Sequence, residues 1–417
     1  MKKNNPLKSI FSYLVLLVWL TGCSTLERVP AVPSEHDFSE VEIVGVPDVR
    51  YDIFTKNGIN ELVGHFHDLQ QGYVRKNNTA AFLSISGGGD NGAFTAGLLN
   101  GWTKSGKRPN FRLVTGISTG ALIAPFAYLG SDYDATLKDL YTSVTPSDIY
   151  RKRNLVEGLF ADSLADSEPL YNLISKYVDE DFLKKVAYEY KENRRFLLIG
   201  TTNLDSKKPV IWNMGRIAMV GTPEALTLFK KVMLASASIP GVFPPVMLDV
   251  EVRGKKYQEM HVDGGANTQA FLYPPALTQK LREENNFDNQ IKREAYIIRN
   301  ADLSPEGEEV RRRTLPIVLK TVGQLIHTQG VGDLYKMYIS TQQDNVGYNL
   351  AYIEDDFNFP HPEEFDQAYM RALYDYGEKK AINGYKWFKE PFGLSVDRKS
   401  TRLNSSHSQQ SRMPSSA

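Results

Sequence analysis

Ser118 stands in Gly116-Ile117-Ser118-Thr119-Gly120, the G-x-S-x-G spacing of a nucleophile carried on a sharp turn between a strand and a helix. The apolar run 111–115 precedes it and the helix-forming Ala121-Leu122-Ile123-Ala124 follows, which is the context such a turn requires. The helix aims its positive end at the serine and favours negative charge there. Ser86-Gly87-Gly88-Gly89-Asp90-Asn91-Gly92 also lies between a strand pattern and a helix pattern. The N–H groups of Gly88 and Gly89 are placed to receive an oxyanion, and losing one such donor typically costs ~3 kcal/mol of barrier. Asp263-Gly264-Gly265 ends another strand pattern in a tight turn and offers a carboxylate base. The three stretches together describe an acyl-transfer site.

Each stretch also has a plainer reading. Gly87, Gly89 and Gly92 satisfy the G-x-G-x-x-G spacing for dinucleotides, which expects an acidic residue about 20 residues on, at the end of the next strand. No Asp or Glu occurs between Asp90 and Asp132, so that signature lacks its second half. Asp-Gly-Gly alone is a turn; it gains meaning from Ser118 and the glycine ribbon. A rival enzyme reading is an α/β-hydrolase triad in the order Ser, acid, His, for which His327 and His361 follow Asp263. His261 shares a strand face with Asp263 and would only support the carboxylate. A third reading, from another class, is a lipid-binding lipoprotein without turnover. The cluster His65-Phe66-His67-Asp68 suits an exposed helix face better than zinc, so neither a metal nor a cofactor is expected.

The elements that must position these residues alternate. Strand patterns at 80–86, 111–116, 196–203 and 210–212 interleave with helix patterns at 92–104 and 119–129, which argues for an α/β sheet with helices packed on it. Further helices are expected at 169–178, 226–237, 315–329 and 365–379, and strands at 257–262 and 295–300. With 41% hydrophobic and 24% charged residues the chain can bury a substantial core, read as one domain over 51–396. The balance of 49 basic against 49 acidic residues leaves no nucleic-acid footprint. Arg151-Lys152-Arg153 and Arg311-Arg312-Arg313 read as solvated helix ends. Tyr369, Tyr374, Tyr376, Tyr385, Trp387 and Phe388 fit either the wall of an acyl channel or ordinary packing.

Residues 1–22 have the charged start, apolar run and small-residue end of an export signal, and the run is shorter than a spanning helix needs. Cys23 follows as the chain's one cysteine. The junction resembles a bacterial lipobox, which implies lipidation of Cys23 as the first mature residue and attachment to a membrane. Ser24 in place of Asp implies the outer membrane, facing the periplasm. Residues 23–50, with Pro30, Pro33 and Pro47, read as a semi-extended tether. Residues 397–417 resemble a translated sequencing-library adaptor and are set aside as an artefact.

With the glycine loop, the G-x-S-x-G turn, the D-G-G element and the block Ala235-Ser236-Ala237-Ser238-Ile239-Pro240-Gly241-Val242-Phe243-Pro244-Pro245, residues 75–275 resemble the patatin-like phospholipases, in their bacterial lipoprotein form. The resemblance implies a three-layer α/β fold with a mainly parallel central sheet flanked by helices. It also implies a Ser118–Asp263 dyad without histidine, hydrolysis of lipid acyl esters, no cofactor, and a supporting role for the 235–245 block. One departure concerns the loop, where the family usually carries Arg or Lys before the last glycine. Here Asn91 stands at that place, preceded by Asp90, and the missing cation leaves acyl esters other than phospholipids open.

Overall fold

The computed structural model describes residues 28–34, 36, 40–70, 79–153, 161–284, 291–303, 310 and 312–394. The expected leader 1–22, Cys23 and the tail 397–417 lie outside the described residues. In chain order the strands are β1 (Glu42–Ile43), β2 (Arg50–Tyr51), β3 (Thr79–Ile85), β4 (Phe111–Gly116), β5 (Arg151–Lys152), β6 (Ala165–Asp166), β7 (Phe196–Asn203), β8 (Lys208–Asn213), β9 (Val246–Val252), β10 (Lys255–Asp263), β11 (Lys292–Arg299) and β12 (Val346–Tyr352). Ten of them form one sheet, and β5 and β6 make a separate ribbon.

The middle of the sheet is a parallel run in the order β12, β11, β3, β4, β7. Such strands are buried on both faces, and their side chains sort by alternation. Leu83, Ile85, Val114, Leu197 and Ile199 point into the larger core. Helices Gly92–Lys104, Thr119–Leu129, Pro223–Ser236 and Gln367–Ile382 contribute to that core. Leu113, Phe196 and Leu198 point the other way, toward Leu62 and Leu69 of helix Lys56–Gln70. Ala295, Ile297 and Leu350 meet Leu334 and Met337 of helix Thr314–Gln343 on that second face. This is the expected three-layer α/β arrangement.

One strand organises the site. Along one edge of β7, Phe196 to Ile199 pair in parallel with Leu113 to Gly116 of β4. Beyond Gly200, Thr201, Thr202 and Asn203 pair with Asp263, Val262 and His261 of β10, which runs the opposite way. Because β8 pairs with β7 from Leu198 to Asn203, it takes the other edge, so β4 and β10 share this one. They run toward each other and end on either side of Gly200.

Several expectations need correction. The described part of the 23–50 tether is not free of the body. Glu42–Ile43 adds a strand to β9, Val41, Ile43, Val46 and Val49 are buried, and the buried Arg50 side chain pairs with Glu259. The helix expected at 315–329 runs to Gln343. β9, β12 and helices Lys56–Gln70 and Glu180–Lys191 are additions to the expected elements.

Candidate active site

Ser118 follows directly from β4 and caps helix Thr119–Leu129, with φ 55° and ψ −125°. A side chain at positive φ is costly and persists only where its surroundings fix it. Ser236 is what fixes it: its Oγ accepts the Ser118 N–H at 3.0 Å and donates to the Gly200 carbonyl at 2.7 Å. The flanking glycines are set by crowding rather than by their own torsions. A Cβ on Gly116 would strike the Gly120 carbonyl, and one on Gly120 would strike the Ile85 carbonyl at the end of β3. Ile117 is buried beside Gly200 and Gly264, which ties the turn to β7 and to the Asp263 turn. Thr119 is buried, and its Oγ1 bonds the Tyr141 hydroxyl at 2.6 Å.

Asp263 ends β10, and its carboxyl lies beside the Ser118 hydroxyl, which favours its ionised form. The two meet because their strands stop head to head along β7. Ser118 is 8% exposed and Asp263 4%, so bulk water does not screen the pair. Burial pushes the Asp263 carboxyl up to about 7, against the opposing pull of the nearby Ser118 hydroxyl and of the Gly265 N–H, which donates to Oδ1 at 2.7 Å. Gly264 packs so closely on Gly200 that a Cβ would meet its carbonyl oxygen at 2.5 Å. The Asp263 N–H donates to the Ser238 carbonyl at 2.9 Å. The 235–245 block therefore holds both partners, Ser236 from one side and Ser238 from the other.

The glycine ribbon, Gly87 to Gly92, lies over this pair. A Cβ on Gly87 would come within 3.2 Å of the Ser118 Cβ. Gly88 (φ 150°) and Gly89 (φ 57°) both adopt torsions that favour glycine. A Cβ on Gly88 would strike the Asn300 carbonyl, and one on Gly92 would sit 2.6 Å from Thr119 Oγ1. Among the described residues no acceptor takes the Gly88 or Gly89 N–H, whereas the Gly87 N–H is already given to the Gln269 carbonyl at 3.0 Å. Two buried amides missed from sequence brace the start of the ribbon and the Asp263 turn. Asn300 Nδ2 donates to the Ser86 carbonyl at 2.9 Å, and Gln269 Nε2 donates to the Gly265 carbonyl at 2.9 Å. Nothing local marks either residue as part of the ribbon, since Asn300 reaches Ser86 and the Gln269 carbonyl reaches Gly87 from far along the chain.

Asp90 and Asn91, the departures in the loop, face the segment before helix Gln367–Ile382. His361 Nε2 lies 2.8 Å from the buried Asp90 Oδ2, the Phe365 N–H donates to the same oxygen at 2.8 Å, and the Tyr369 hydroxyl donates to Asn91 Oδ1 at 2.6 Å. Asp90, His361 and Glu364 form the one group of three potential metal ligands among the described residues. Asp90 already accepts two hydrogen bonds there, which makes it the anchor of this strap. His361 thus faces Asp90 rather than the dyad. His327 lies on helix Thr314–Gln343. His261 bonds Thr201 Oγ1 and Glu259 instead of supporting Asp263. In the 65–68 cluster, read from sequence as a helix face, His65 bonds the Tyr51 hydroxyl and His67 pairs with Glu284.

An apolar pocket opens at Ser118 and Gly89 and is walled by Leu122, Leu140, Leu170, Leu173, Ile174, Met233, Phe243 and Phe365. Of the C-terminal aromatics, Trp387 packs against Trp102 and Tyr385. None of the six named from sequence lines the pocket. A wider cleft among Phe66, Arg112, Phe196 and Leu277 sits at the opposite ends of the strands, away from Ser118.

A family model of patatin-like phospholipases matches residues 83–273, which include the glycine ribbon, Ser118 and Asp263. Over that span the chain is similar to the patatin-like phospholipases, a likeness that supports lipid acyl hydrolase activity in general. No curated protein matches the chain. Among solved structures it is similar to VipD from Legionella pneumophila at 13% identity, over 75% of this chain and 68% of that one, with a TM-score of 0.37.

Proposed function

We propose that the protein is a serine hydrolase of lipid acyl esters, with Ser118 as nucleophile and Asp263 as its only base. The reading is carried by Ser118 and Asp263 lying side by side, buried beneath the glycine ribbon at the mouth of an apolar pocket. In this reading the acyl chain lies among Leu170, Leu173 and Ile174, with the ester carbonyl beside Ser118. Ser118 Oγ attacks the carbonyl carbon and its proton passes to Asp263. The Gly88 and Gly89 N–H groups receive the charge on the carbonyl oxygen. Collapse breaks the ester bond, and the departing alkoxide takes the proton from Asp263. Water then attacks the acyl enzyme, gives a proton to Asp263, and the serine leaves with it, releasing a fatty acid.

Asp is a weak base at neutral pH. The burial that lifts Asp263 toward 7 makes it a better proton acceptor when ionised, and the helix behind Ser118 eases ionisation of the hydroxyl. No cofactor enters this scheme. We further propose attachment through acylated Cys23 to the periplasmic face of the outer membrane, a reading supported by the lipobox-like sequence alone.

The test is hydrolysis of short-chain esters and phospholipid vesicles by purified Ser118→Ala and Asp263→Asn proteins of unchanged circular dichroism. Both lose hydrolysis, and Ser118→Ala also loses fluorophosphonate labelling. Hydrolysis retained by either variant overturns the dyad. Wild-type protein with neither labelling nor turnover would instead be a lipid-binding protein.

A further inference from the structure

Helix Thr314–Gln343 has 30 residues and is therefore about 45 Å long. The strand it leads into, β12, has 7 residues and spans about 23 Å. As the crossover between the parallel strands β11 and β12, the helix starts at the edge where those strands end and runs back to the edge where they begin. The excess length therefore projects at one edge only.

Contacts show where the body stops. A Cβ on Gly330 would sit 2.5 Å from the guanidinium of Arg299, the last residue of β11. Asp333 Oδ2 accepts the Gln269 N–H at 2.7 Å and the Thr268 hydroxyl at 2.9 Å. Residues 330–333 are thus level with the strand ends, and the preceding turns, about 24 Å of helix, extend past them. In that arm Ile317 is 49% exposed, Val322 46%, Leu325 64% and Ile326 36%. Isolated exposed apolar residues are ordinary, but a helix stretch carrying four of them needs a partner.

We infer that this arm is an interfacial helix that beds in an anionic lipid bilayer. Three observations select that partner. Charge is the first: Lys320 lies on the arm and Arg312 and Arg313 at its start, beyond Glu306, Glu308 and Glu309, and within the arm itself, from Thr314 to Gly332, no Asp or Glu occurs. A basic, apolar helix of this kind fits an anionic lipid surface, whereas a second copy would set the same cations against each other. Position is the second: the arm leaves the body at the edge that holds Ser118, and the exposed Ile239, which lines the pocket mouth, and Val242 lie on that side. Depth is the third. Among the described residues no helix is long and apolar enough to cross a membrane, so the arm lies in the interface. The inference goes beyond the proposed hydrolysis and does not depend on it.

The full chain carrying Cys23→Ser and Leu325→Cys has one thiol, at the tip of the arm, and no acylation site. A bimane label there is followed as vesicles of phosphatidylcholine with phosphatidylglycerol are added. The emission shifts to the blue, lipid-borne doxyl groups quench it, and Ile317→Asp with Val322→Asp weakens the vesicle affinity roughly tenfold. The same label at Tyr188→Cys, an exposed site on helix Glu180–Lys191, stays unchanged. A label at 325 that ignores vesicles, or a shift equal at 188, overturns the inference. So does a shift that follows protein concentration without vesicles, which would make a second copy the occupant. Hydrolysis is not read in this experiment, so failure of the Ser118–Asp263 reading leaves its outcome intact.

Discussion

Replacing Asp263 by Asn should make the protein more stable at alkaline pH while removing its activity. Burial raises the folded-state carboxyl from its ordinary 3.8 to about 7, which corresponds to about 4 kcal/mol of penalty for the ionised form. The sign follows from proton binding. The folded state holds this proton more tightly than the unfolded chain, so the group's contribution is fully present below about pH 4 and is lost as pH rises to about 7. An amide at 263 has the same shape, can accept from the Gly265 N–H and can donate to Ser118 Oγ, yet never ionises. The stability of Asp263→Asn relative to wild type should therefore rise by about 1.4 kcal/mol per pH unit between those limits and level off above them. Urea unfolding of both proteins at about pH 5, 7 and 9 measures this difference. A gap that stays constant with pH, or a variant that loses ground at alkaline pH, would refute the burial penalty on this carboxylate. In the wild type the same group sets the pH–rate profile, with hydrolysis rising through about pH 7 as the base ionises.

Ser236→Ala removes the acceptor of the Ser118 N–H and the donor to Gly200, so kcat should fall at least roughly tenfold with little change in KM, as measured on a soluble ester. Leu173→Trp fills the apolar pocket, and the ratio of long-chain to butyrate ester turnover should drop while butyrate turnover persists. His361→Ala frees Asp90 from one hydrogen bond but removes nothing from the dyad. It should retain ester hydrolysis, and its complete loss would revive the Ser–Asp–His triad.

What could be read from sequence was what is local. Strand Phe111–Gly116, the turn at Ser118 and helix Thr119–Leu129 were legible to the residue, because a strand, an elbow and a helix each leave their mark within a few positions. The meeting of residues 118 and 263 was expected from motif company alone. Its physical reason, two strands stopping head to head along β7, is a property of pairing that no spacing displays. The helix expected from sequence stopped at Gln329. The structure continues it, since Gly330 makes room for the Arg299 guanidinium, a tertiary use of a residue that sequence reads as punctuation. The tether was misjudged for a similar reason. Pro30, Pro33 and Pro47 set its apparent character, while the burial of Val46, Val49 and Arg50 depends on β9 and Glu259, remote in the chain. Ser236 belongs to the 235–245 block whose supporting role the resemblance implied, whereas Gln269 and Asn300 meet Gly87 and Ser86 far away in sequence, and no motif marks those two.

The head-to-head arrangement on β7 also separates chemistry from selection. Ser118 and Asp263 are clamped to a single rail, whereas much of the apolar pocket proposed to take the acyl chain is walled by helices Asp134–Thr142 and Glu168–Tyr177, which belong to the excursion between β4 and β7. That excursion could be exchanged for another of different bore without moving either end of the rail, so chain-length preference in this scaffold is a replaceable fitting and the nucleophile's alignment is not.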